Sequence, residues 1–209
     1  MNIIKSTFCA HRGASGNFPE NTMRAFNAAL ALGVSWTETD LNLSSDEKLV
    51  IFHDTNLGRT ISGSVALSSL TLEEIQRLDA GSWKGKEFSN EKVLSFQQLL
   101  NWQDSHEVNI NYELKCDKTN PDKVVTILSK ELSNRDPKKI IISSFSRKLI
   151  AKSIKVIYFS GVILIYLKDI QLVLPDSISC SCLKTFFLAD PRPSSNILLV
   201  IVLINVLLA

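Results

Sequence analysis

Between residues 7 and 144, short apolar stretches alternate with segments that carry apolar residues at helical spacing. Strands are predicted at residues 7–11, 34–43, 49–53, 108–115 and 140–144. Helices are predicted at residues 21–32, from Thr71 to Leu78, from Ser95 to Asp104, and from Pro121 to about Ser133. Such alternation indicates parallel β/α units, which close either as a doubly wound sheet or as an eight-fold barrel.

Capping residues support the predicted helix starts. Either Asn21 or Thr22 can cap the first helix, and Asn120 with Pro121 has the arrangement of a cap and a first helical residue. The capping-box spacing, a Ser or Thr followed three residues later by Glu or Gln, occurs twice: Thr71 with Glu74 and Ser95 with Gln98. We therefore expect helices to begin at these positions.

The chemistry of the strands favours the barrel over the doubly wound sheet. Polar residues occupy one face of several different strands, close to the carboxyl ends of those strands. Active sites of (β/α) barrels are built at that end of the strands. The predicted fold class is therefore α/β, a TIM-type (β/α) barrel.

Two apolar stretches lie towards the end of the chain, at residues 156–167 and 197–209. Each is shorter than the roughly 18–20 residues that a membrane-spanning helix requires. We expect buried strands or a buried helix there, and no transmembrane segment.

Composition narrows the class of protein only slightly. The chain has 209 residues, a hydrophobic fraction of 45% and a formal net charge of +2, so nothing global indicates a nucleic-acid partner. The four cysteines show neither zinc-ligand spacing nor a C-x-x-C motif. Because no signal peptide is evident and reduced thiols are typical of the cytosol, we expect a cytoplasmic protein.

Two carboxylates stand two residues apart in the stretch WTETDLN. Glu38 and Asp40 point the same way if this stretch is a strand. Like charges on one face repel, and a divalent cation between them is a natural partner. The pattern alone is weak, because exposed strand faces also carry such pairs.

Two of the three histidines in the chain end predicted strands. His11 is followed by Arg12, and His53 is followed by Asp54. A histidine has the intrinsic pKa for proton transfer near neutrality, and an arginine can bind an anionic oxygen. The alternative for either histidine is an ordinary hydrogen-bonded residue.

The stretch NINYELK alternates strictly. Asn109, Asn111, Glu113 and Lys115 share one face, and the apolar residues between them form the other, which would pack against outer helices. A polar face on a buried strand is costly unless its groups are paired or bind a ligand. Glu113 could be a third metal ligand, and Lys115 could meet an anion or neutralise a carboxylate. A strand with one face in water remains the alternative.

Together these residues fit one chemistry. Three carboxylates for a hard cation, two cationic side chains for an anionic oxygen and two histidines for proton transfer are the parts of metal-assisted phosphoryl transfer. A non-catalytic module that binds metal or phosphate stays open as another class of function.

Several motifs resemble the glycerophosphodiester phosphodiesterase family: AHRGASGNFPENTMRAF, WTETDLNLSSDEKLVIFHD, NLGRTISG and NYELK. The resemblance covers roughly residues 7–147. It implies a (β/α) barrel that uses a divalent cation, Mg²⁺ or Ca²⁺, to hydrolyse glycerophosphodiesters to an alcohol and sn-glycerol 3-phosphate.

The same resemblance implies a role for each candidate residue. The metal ligands would be Glu38, Asp40 and Glu113. The acid/base pair would be His11 and His53, and the phosphate contacts would be Arg12 and Lys115. Residues 57–85 match a family insertion that helps to shape the substrate pocket. Residues 1–209 are thus expected to form one domain.

The resemblance weakens towards the end of the chain. Residues 189–209 form an atypical, Leu/Ile/Val-rich tail where the family has further barrel elements. We hypothesise a frameshifted tail, with a barrel that is incomplete at its C-terminal end and a first strand with an unpaired edge. A lineage-specific tail that completes the barrel is the alternative. An inactive remnant of such an enzyme is a corresponding alternative for function.

Overall fold

The computed structural model describes residues 8–115, 121–157, 163–166, 183–189 and 198–204. The strands are β1 (Phe8–His11), β2 (Trp36–Leu43), β3 (Leu49–Ile51), β4 (Asn109–Leu114), β5 (Ile140–Ser144), β6 (Ile163–Tyr166), β7 (Leu183–Ala189) and β8 (Leu198–Ile204). The helices are α1 (Met23–Ala31), α2 (Leu72–Arg77), α3 (Phe96–His106), α4 (Pro121–Leu132) and α5 (Arg147–Ile157). The predicted order of elements up to residue 144 is confirmed.

A mostly parallel sheet forms the centre of the fold. Its strand order is β6-β5-β4-β2-β1-β8-β7, and all neighbours from β6 to β8 are parallel. Helices α1, α3 and α4 lie between successive parallel strands of the chain and supply the crossover connections that parallel pairing requires. The fold is therefore α/β, with the β/α units of a TIM-type barrel, as predicted.

One predicted strand does not join the parallel set. The strand β3 pairs antiparallel with β2, with Leu41 opposite Ile51 and Leu43 opposite Leu49. Only residues 44–48 connect the two strands, and a parallel crossover needs about a dozen residues or more. The sequence therefore specifies a hairpin here, which places His53 just beyond the returning strand.

The expectation of an unpaired edge at the first strand is wrong. Strand β8, within the atypical tail, pairs parallel with β1, with Phe8 opposite Val202. Strand β7 pairs antiparallel with β8, because residues 190–197 are too few for a parallel crossover. The frameshift itself stays a hypothesis, and residues 190–197 and 205–209 of the tail lie outside the described residues.

Local signals explain how the helices begin. The Thr71 and Ser95 hydroxyls accept hydrogen bonds from the third backbone N–H of their helices, and Glu74 and Gln98 reach back to the caps. Both predicted capping boxes are thus confirmed. Thr22, not Asn21, caps α1, by accepting from the N–H of Ala25.

The apolar face of β4 packs outward against helices, as predicted. Ile110, Tyr112 and Leu114 are buried in one cluster with side chains of α3 and α4. Tyr112 carries a hydroxyl into this cluster and donates it to Gln103 at 2.6 Å, so no polar atom is left unpaired there. The opposite face of β4 is therefore free to carry polar side chains inward.

Residues 57–85 contribute Leu57, Ile61, Leu67 and Ile75 to a small buried apolar cluster, which they share with Val50, Phe52 and Val93. Lys84 fixes this segment to the loop after β1, since its ammonium donates to the carbonyls of residues 15 and 16 at 3.0 and 2.7 Å. In the part of the chain that the structure describes, no helix is both long and apolar enough to cross a membrane.

Candidate active site

Three carboxylates meet on the inner face of the sheet. Glu38 and Asp40 lie two residues apart on β2, and Asp40 stands opposite Glu113 on the neighbouring strand β4. One carboxylate oxygen from each residue lies within 4.8 Å of the other two. The resemblance to a known family implied these three residues as the metal ligands, and their separation suits the span of one bound cation.

The electrostatics of this cluster are unfavourable without a counter-ion. Glu38 is 1% exposed and Asp40 is fully buried. Burial, followed by the nearby charges of Asp40 and Glu113, raises the pKa of Glu38 well above its ordinary value. Burial also raises the pKa of Glu113, although Lys115 acts in the opposite direction. Burying three carboxylates next to one another costs stability. Such a costly arrangement indicates a functional role for the cluster, such as binding a cation.

Two carboxylate oxygens in the cluster accept no hydrogen bond from the described residues: Glu38 Oε1 and Asp40 Oδ1. Lys115 Nζ lies 3.3 Å from Asp40 Oδ1, but without the geometry of a hydrogen bond. Buried polar atoms are rarely left unpaired in native proteins. Unpaired carboxylate oxygens on converging residues are suitable ligands for a hard cation such as Mg²⁺ or Ca²⁺.

The other oxygen of Asp40 is held in place. Asn21 Nδ2 donates to Asp40 Oδ2 at 2.8 Å, and Arg12 Nε lies 3.0 Å from the same oxygen. The Thr39 hydroxyl donates to the side-chain oxygen Oδ1 of Asn21 at 2.9 Å. Asn21 has φ 58°, in the left-handed region that Asn tolerates better than most residues. The sequence analysis considered Asn21 only as a helix cap and missed this role.

The end of β1 turns sharply to bring His11 and Arg12 beside the carboxylates. Arg12 has φ 58°, and its N–H points to Glu38 Oε2 at 3.1 Å. Gly13 follows with φ 77°, and a Cβ there would lie 2.6 Å from the backbone carbon of Ala25. His11 Nε2 lies 3.7 Å from Glu38 Oε2. Both predicted residues are thus adjacent to the cluster.

Lys115 lies directly after β4 and neutralises carboxylates in this structure. Its ammonium forms an ion pair with Glu113 and lies 3.3 Å from Asp40. Burial alone would lower its pKa, but Asp40 and Glu113 outweigh that effect and raise it. The side chain of Phe145, which is 45% exposed, lies 5.5 Å from the Lys115 ammonium. Lys115 is therefore a fixed positive charge at the mouth of the cluster.

His53 is paired with the residue that follows it. Its Nδ1 lies 2.6 Å from Asp54 Oδ1, and 31% of its side chain is exposed. Burial lowers the pKa of His53, an effect that the nearby Asp40 opposes. A partly exposed imidazole that is oriented by a carboxylate is suited to accept or donate a proton.

Two further charged residues, Glu20 and Arg59, were missed by the sequence analysis. Arg12 Nη1 donates to Glu20 at 2.8 Å. Arg59 donates to both oxygens of Glu20, at 2.7 and 2.8 Å, and to Asp54 at 2.8 Å. Both residues lie within motifs already quoted, NFPEN and NLGRT, but no local spacing links positions 39 residues apart.

The chain is also similar in sequence to known proteins. Residues 11–156 match the model of the glycerophosphoryl diester phosphodiesterase family. The chain is 38% identical over 112 residues to a glycerophosphodiester phosphodiesterase of Caldanaerobacter subterraneus, a match that covers 54% of this chain and 46% of the relative. It is 32% identical over 157 residues to a glycerophosphodiester phosphodiesterase of Bacillus subtilis, a match that covers 68% of this chain and 53% of the relative.

The fold of this chain is also similar to solved structures of phosphodiesterases. A phosphodiesterase of Oleispira antarctica, in complex with the product sn-glycerol-3-phosphate, is 31% identical with a TM-score of 0.69 over 73% of this chain and 63% of that protein. A glycerophosphodiester phosphodiesterase of Agrobacterium tumefaciens is 30% identical with a TM-score of 0.63 over 72% and 63%. These matches span about half of the curated relatives' length and under two thirds of the solved chains.

Proposed function

This chain belongs to the glycerophosphoryl diester phosphodiesterase family, and on that premise we propose that it hydrolyses glycerophosphodiesters to an alcohol and sn-glycerol 3-phosphate. The observation that carries this proposal is the convergence of Glu38, Asp40 and Glu113 within 4.8 Å, with unpaired oxygens on two of them. The product named for the Oleispira antarctica relative is the product we propose for this chain.

The three carboxylates would hold one divalent cation. When bound, the cation would offset the negative charge that develops on the phosphoryl oxygens in the transition state. An all-oxygen ligand set favours Mg²⁺ or Ca²⁺ over zinc. We therefore propose one of these two ions as the cofactor.

The remaining candidate residues bind the substrate and move protons. Arg12 and Lys115 would contact the phosphate, since both present positive charge beside the carboxylates. One histidine of the pair His11 and His53 takes the proton of the nucleophile as its bond to phosphorus forms. The other histidine protonates the leaving alkoxide as the phosphorus–oxygen bond breaks. The nucleophile is water, or it is the neighbouring glycerol hydroxyl, in which case water must then open the cyclic phosphodiester that forms to give sn-glycerol 3-phosphate.

Two broader expectations accompany this proposal. We propose a small-molecule partner, a glycerophosphodiester, on the basis of the family match. The net charge of +2 offers no strong field for nucleic acid. On the basis of the cysteine pattern we propose a cytoplasmic location. The proposed substrate class suggests a role in lipid and glycerol metabolism. Fractionation of cells that produce the tagged chain tests this location.

The function is tested by turnover of glycerophosphocholine with the full chain. Release of glycerol 3-phosphate is measured with EDTA and then with Mg²⁺, Ca²⁺ or Zn²⁺ added back. We expect activity with Mg²⁺ or Ca²⁺ and loss of activity with EDTA. Glu113→Gln should be inactive, whereas the exposed Glu73→Gln should retain full activity.

The same assay separates the alternatives. A folded chain that binds Mg²⁺ or Ca²⁺ in calorimetry but shows no turnover would indicate a non-catalytic binding module. A chain that neither binds the cation nor turns over would indicate an inactive remnant. Either result would overturn the proposed activity.

A further inference from the structure

Arg59 links the candidate acid/base residue His53 to the candidate phosphate contact Arg12. The guanidinium of Arg59 donates to Asp54, which is paired with His53, and to Glu20, which is paired with Arg12. In the series His53–Asp54–Arg59–Glu20–Arg12, the four residues after His53 alternate in charge. We propose that Arg59 is a positioning residue that holds His53 in a single tautomer through Asp54.

The geometry of the guanidinium allows Arg59 to bind the carboxylates of Asp54 and Glu20 at the same time. Arg59 Nε is 2.8 Å from Asp54 Oδ2, Nη1 is 2.8 Å from Glu20 Oε2 and Nη2 is 2.7 Å from Glu20 Oε1. The pairing with Glu20 is bidentate, and only the planar fork of arginine reaches two carboxylates in this way. A lysine could keep the charge but not the three hydrogen bonds.

Each oxygen of Asp54 has a separate partner. Oδ2 accepts from Arg59, and Oδ1 lies 2.6 Å from His53 Nδ1. An ionised carboxylate can only accept, so the proton between Oδ1 and Nδ1 resides on the imidazole. In neutral His53, Nδ1 is therefore protonated and Nε2 is the ring nitrogen that can accept a proton.

Without Arg59, Asp54 would lose the partner that fixes its plane. The ion pair between Arg59 and Asp54 is partly exposed. The exposed fraction is 45% for the Arg59 side chain and 21% for the Asp54 side chain. The pair therefore contributes little to global stability, and its removal should mainly free the Asp54 carboxylate to rotate. The expected consequence is a mixture of His53 tautomers rather than an unfolded protein.

The pairing of Glu20 with Arg59 and Arg12 supports a positioning role for Arg59 at the Arg12 end of the network as well. Burial would raise the pKa of Glu20, but hydrogen bonds and charge from Arg59 and Arg12 lower it to about 2. Glu20 is thus ionised at neutral pH and holds Arg12 through Nη1. The residue Arg59, from the segment 57–85, is placed to couple that segment to both sides of the candidate site.

Long-range ¹H–¹⁵N spectra of histidine side chains test this inference without any need for turnover. The chain has three histidines, and His53→Gln identifies the His53 signals. At about pH 8, where an ordinary histidine is neutral, the wild-type chain should show His53 with a protonated Nδ1. Arg59→Met should give a mixture of the two His53 tautomers. Arg59→Lys should give a mixture that lies between those of the wild-type chain and of Arg59→Met.

The matched control is Arg77→Met, because Arg77 pairs with Glu73 on the surface of α2 and has no link to His53. It should leave the His53 signals unchanged. If His53 keeps a protonated Nδ1 in Arg59→Met, the inference is wrong. Should Arg59→Met fail to fold, Arg59→Lys decides the matter, and an unchanged His53 spectrum in that variant overturns the inference.

This inference rests on the proposed function only for its catalytic consequence. If the chain turns over glycerophosphocholine, Arg59→Met should lower kcat by roughly 10–100-fold, by analogy with residues that orient metal ligands. Arg59→Lys should recover part of that loss, and KM should change less than kcat. Equal losses in both Arg59 variants and in Arg77→Met would assign Arg59 a merely structural role. An inactive wild-type chain would refute the proposed function and leave the spectra to decide the role of Arg59.

Discussion

Replacing Glu38 with glutamine should stabilise the cation-free protein and abolish its response to cations. Glu38 lies within 4.8 Å of two other carboxylates and is 1% exposed. At an effective dielectric constant of about 20, two unit charges at that distance repel by about 3.5 kcal/mol. Arg12 and Lys115 offset part of this repulsion, but burial and then the charges of Asp40 and Glu113 still raise the pKa of Glu38 well above its ordinary value.

Glutamine removes the charge but keeps the shape of the side chain. Its carbonyl oxygen can still accept from the N–H of Arg12, which now lies 3.1 Å from Glu38 Oε2. Its amide can donate to a neighbouring carboxylate. We expect Glu38→Gln to raise the free energy of unfolding by about 1–2 kcal/mol in EDTA, the size of gain that is common when a strained functional group is removed.

Urea unfolding with EDTA and with Mg²⁺ or Ca²⁺ measures both effects. At a cation concentration about 100-fold above its Kd, the wild-type chain should gain about 2.7 kcal/mol, and Glu38→Gln should gain almost nothing. The order of stability should therefore invert between the two conditions. Glu73→Gln, at an exposed surface pair, should stay within about 0.5 kcal/mol of wild type in both. A Glu38→Gln variant that is less stable in EDTA, or that still responds to the cation, would refute the reasoning.

Three further predictions follow from single sites. His11→Ala and His53→Ala should each lower turnover by roughly 10²–10⁴-fold without unfolding the protein; a variant with near-normal activity removes that histidine from the mechanism. Because the pKa of Glu20 is lowered to about 2, its contribution to stability is present above its ordinary pKa near 4.5 and is lost as pH falls towards 2. Glu20→Gln should therefore flatten the acid limb of a stability–pH curve, and an unchanged limb would contradict this. Gly13→Ala should cost about 2–4 kcal/mol, because φ is 77° and the Cβ would overlap backbone. Gly33→Ala, with the same φ but open space, should cost only about 1 kcal/mol.

Local patterns and strand periodicity explain why much of this fold could be predicted. Both capping boxes depend on residues three positions apart, and the sequence identified them because no distant contact is involved. The convergence of Glu38, Asp40 and Glu113 was predictable because parallel strands end at one edge and side chains on a strand alternate. Neither inference depends on how the C-terminal strands pair with the rest of the sheet.

The missed features depend on contacts between distant segments. The pairing of Arg59 with Glu20 joins a segment outside the parallel strands to the loop after β1, and no periodicity predicts such a pairing. The role of Asn21 was missed because its carboxamide faces Asp40, whereas a cap would face the helix N–H groups. The pairing of β8 with β1 was missed because the apolar sequence of the tail does not indicate which strand it pairs with.

The central proposal is that this chain cleaves a phosphodiester at its carboxylate cluster. The most direct measurement is ³¹P NMR of glycerophosphocholine incubated with the full chain and Mg²⁺ or Ca²⁺. We predict that the phosphodiester signal is replaced by that of sn-glycerol 3-phosphate with release of equimolar choline, and that Glu38→Gln leaves the diester intact. A persistent diester signal with the wild-type chain, or phosphocholine as the phosphorus-containing product, would contradict the account.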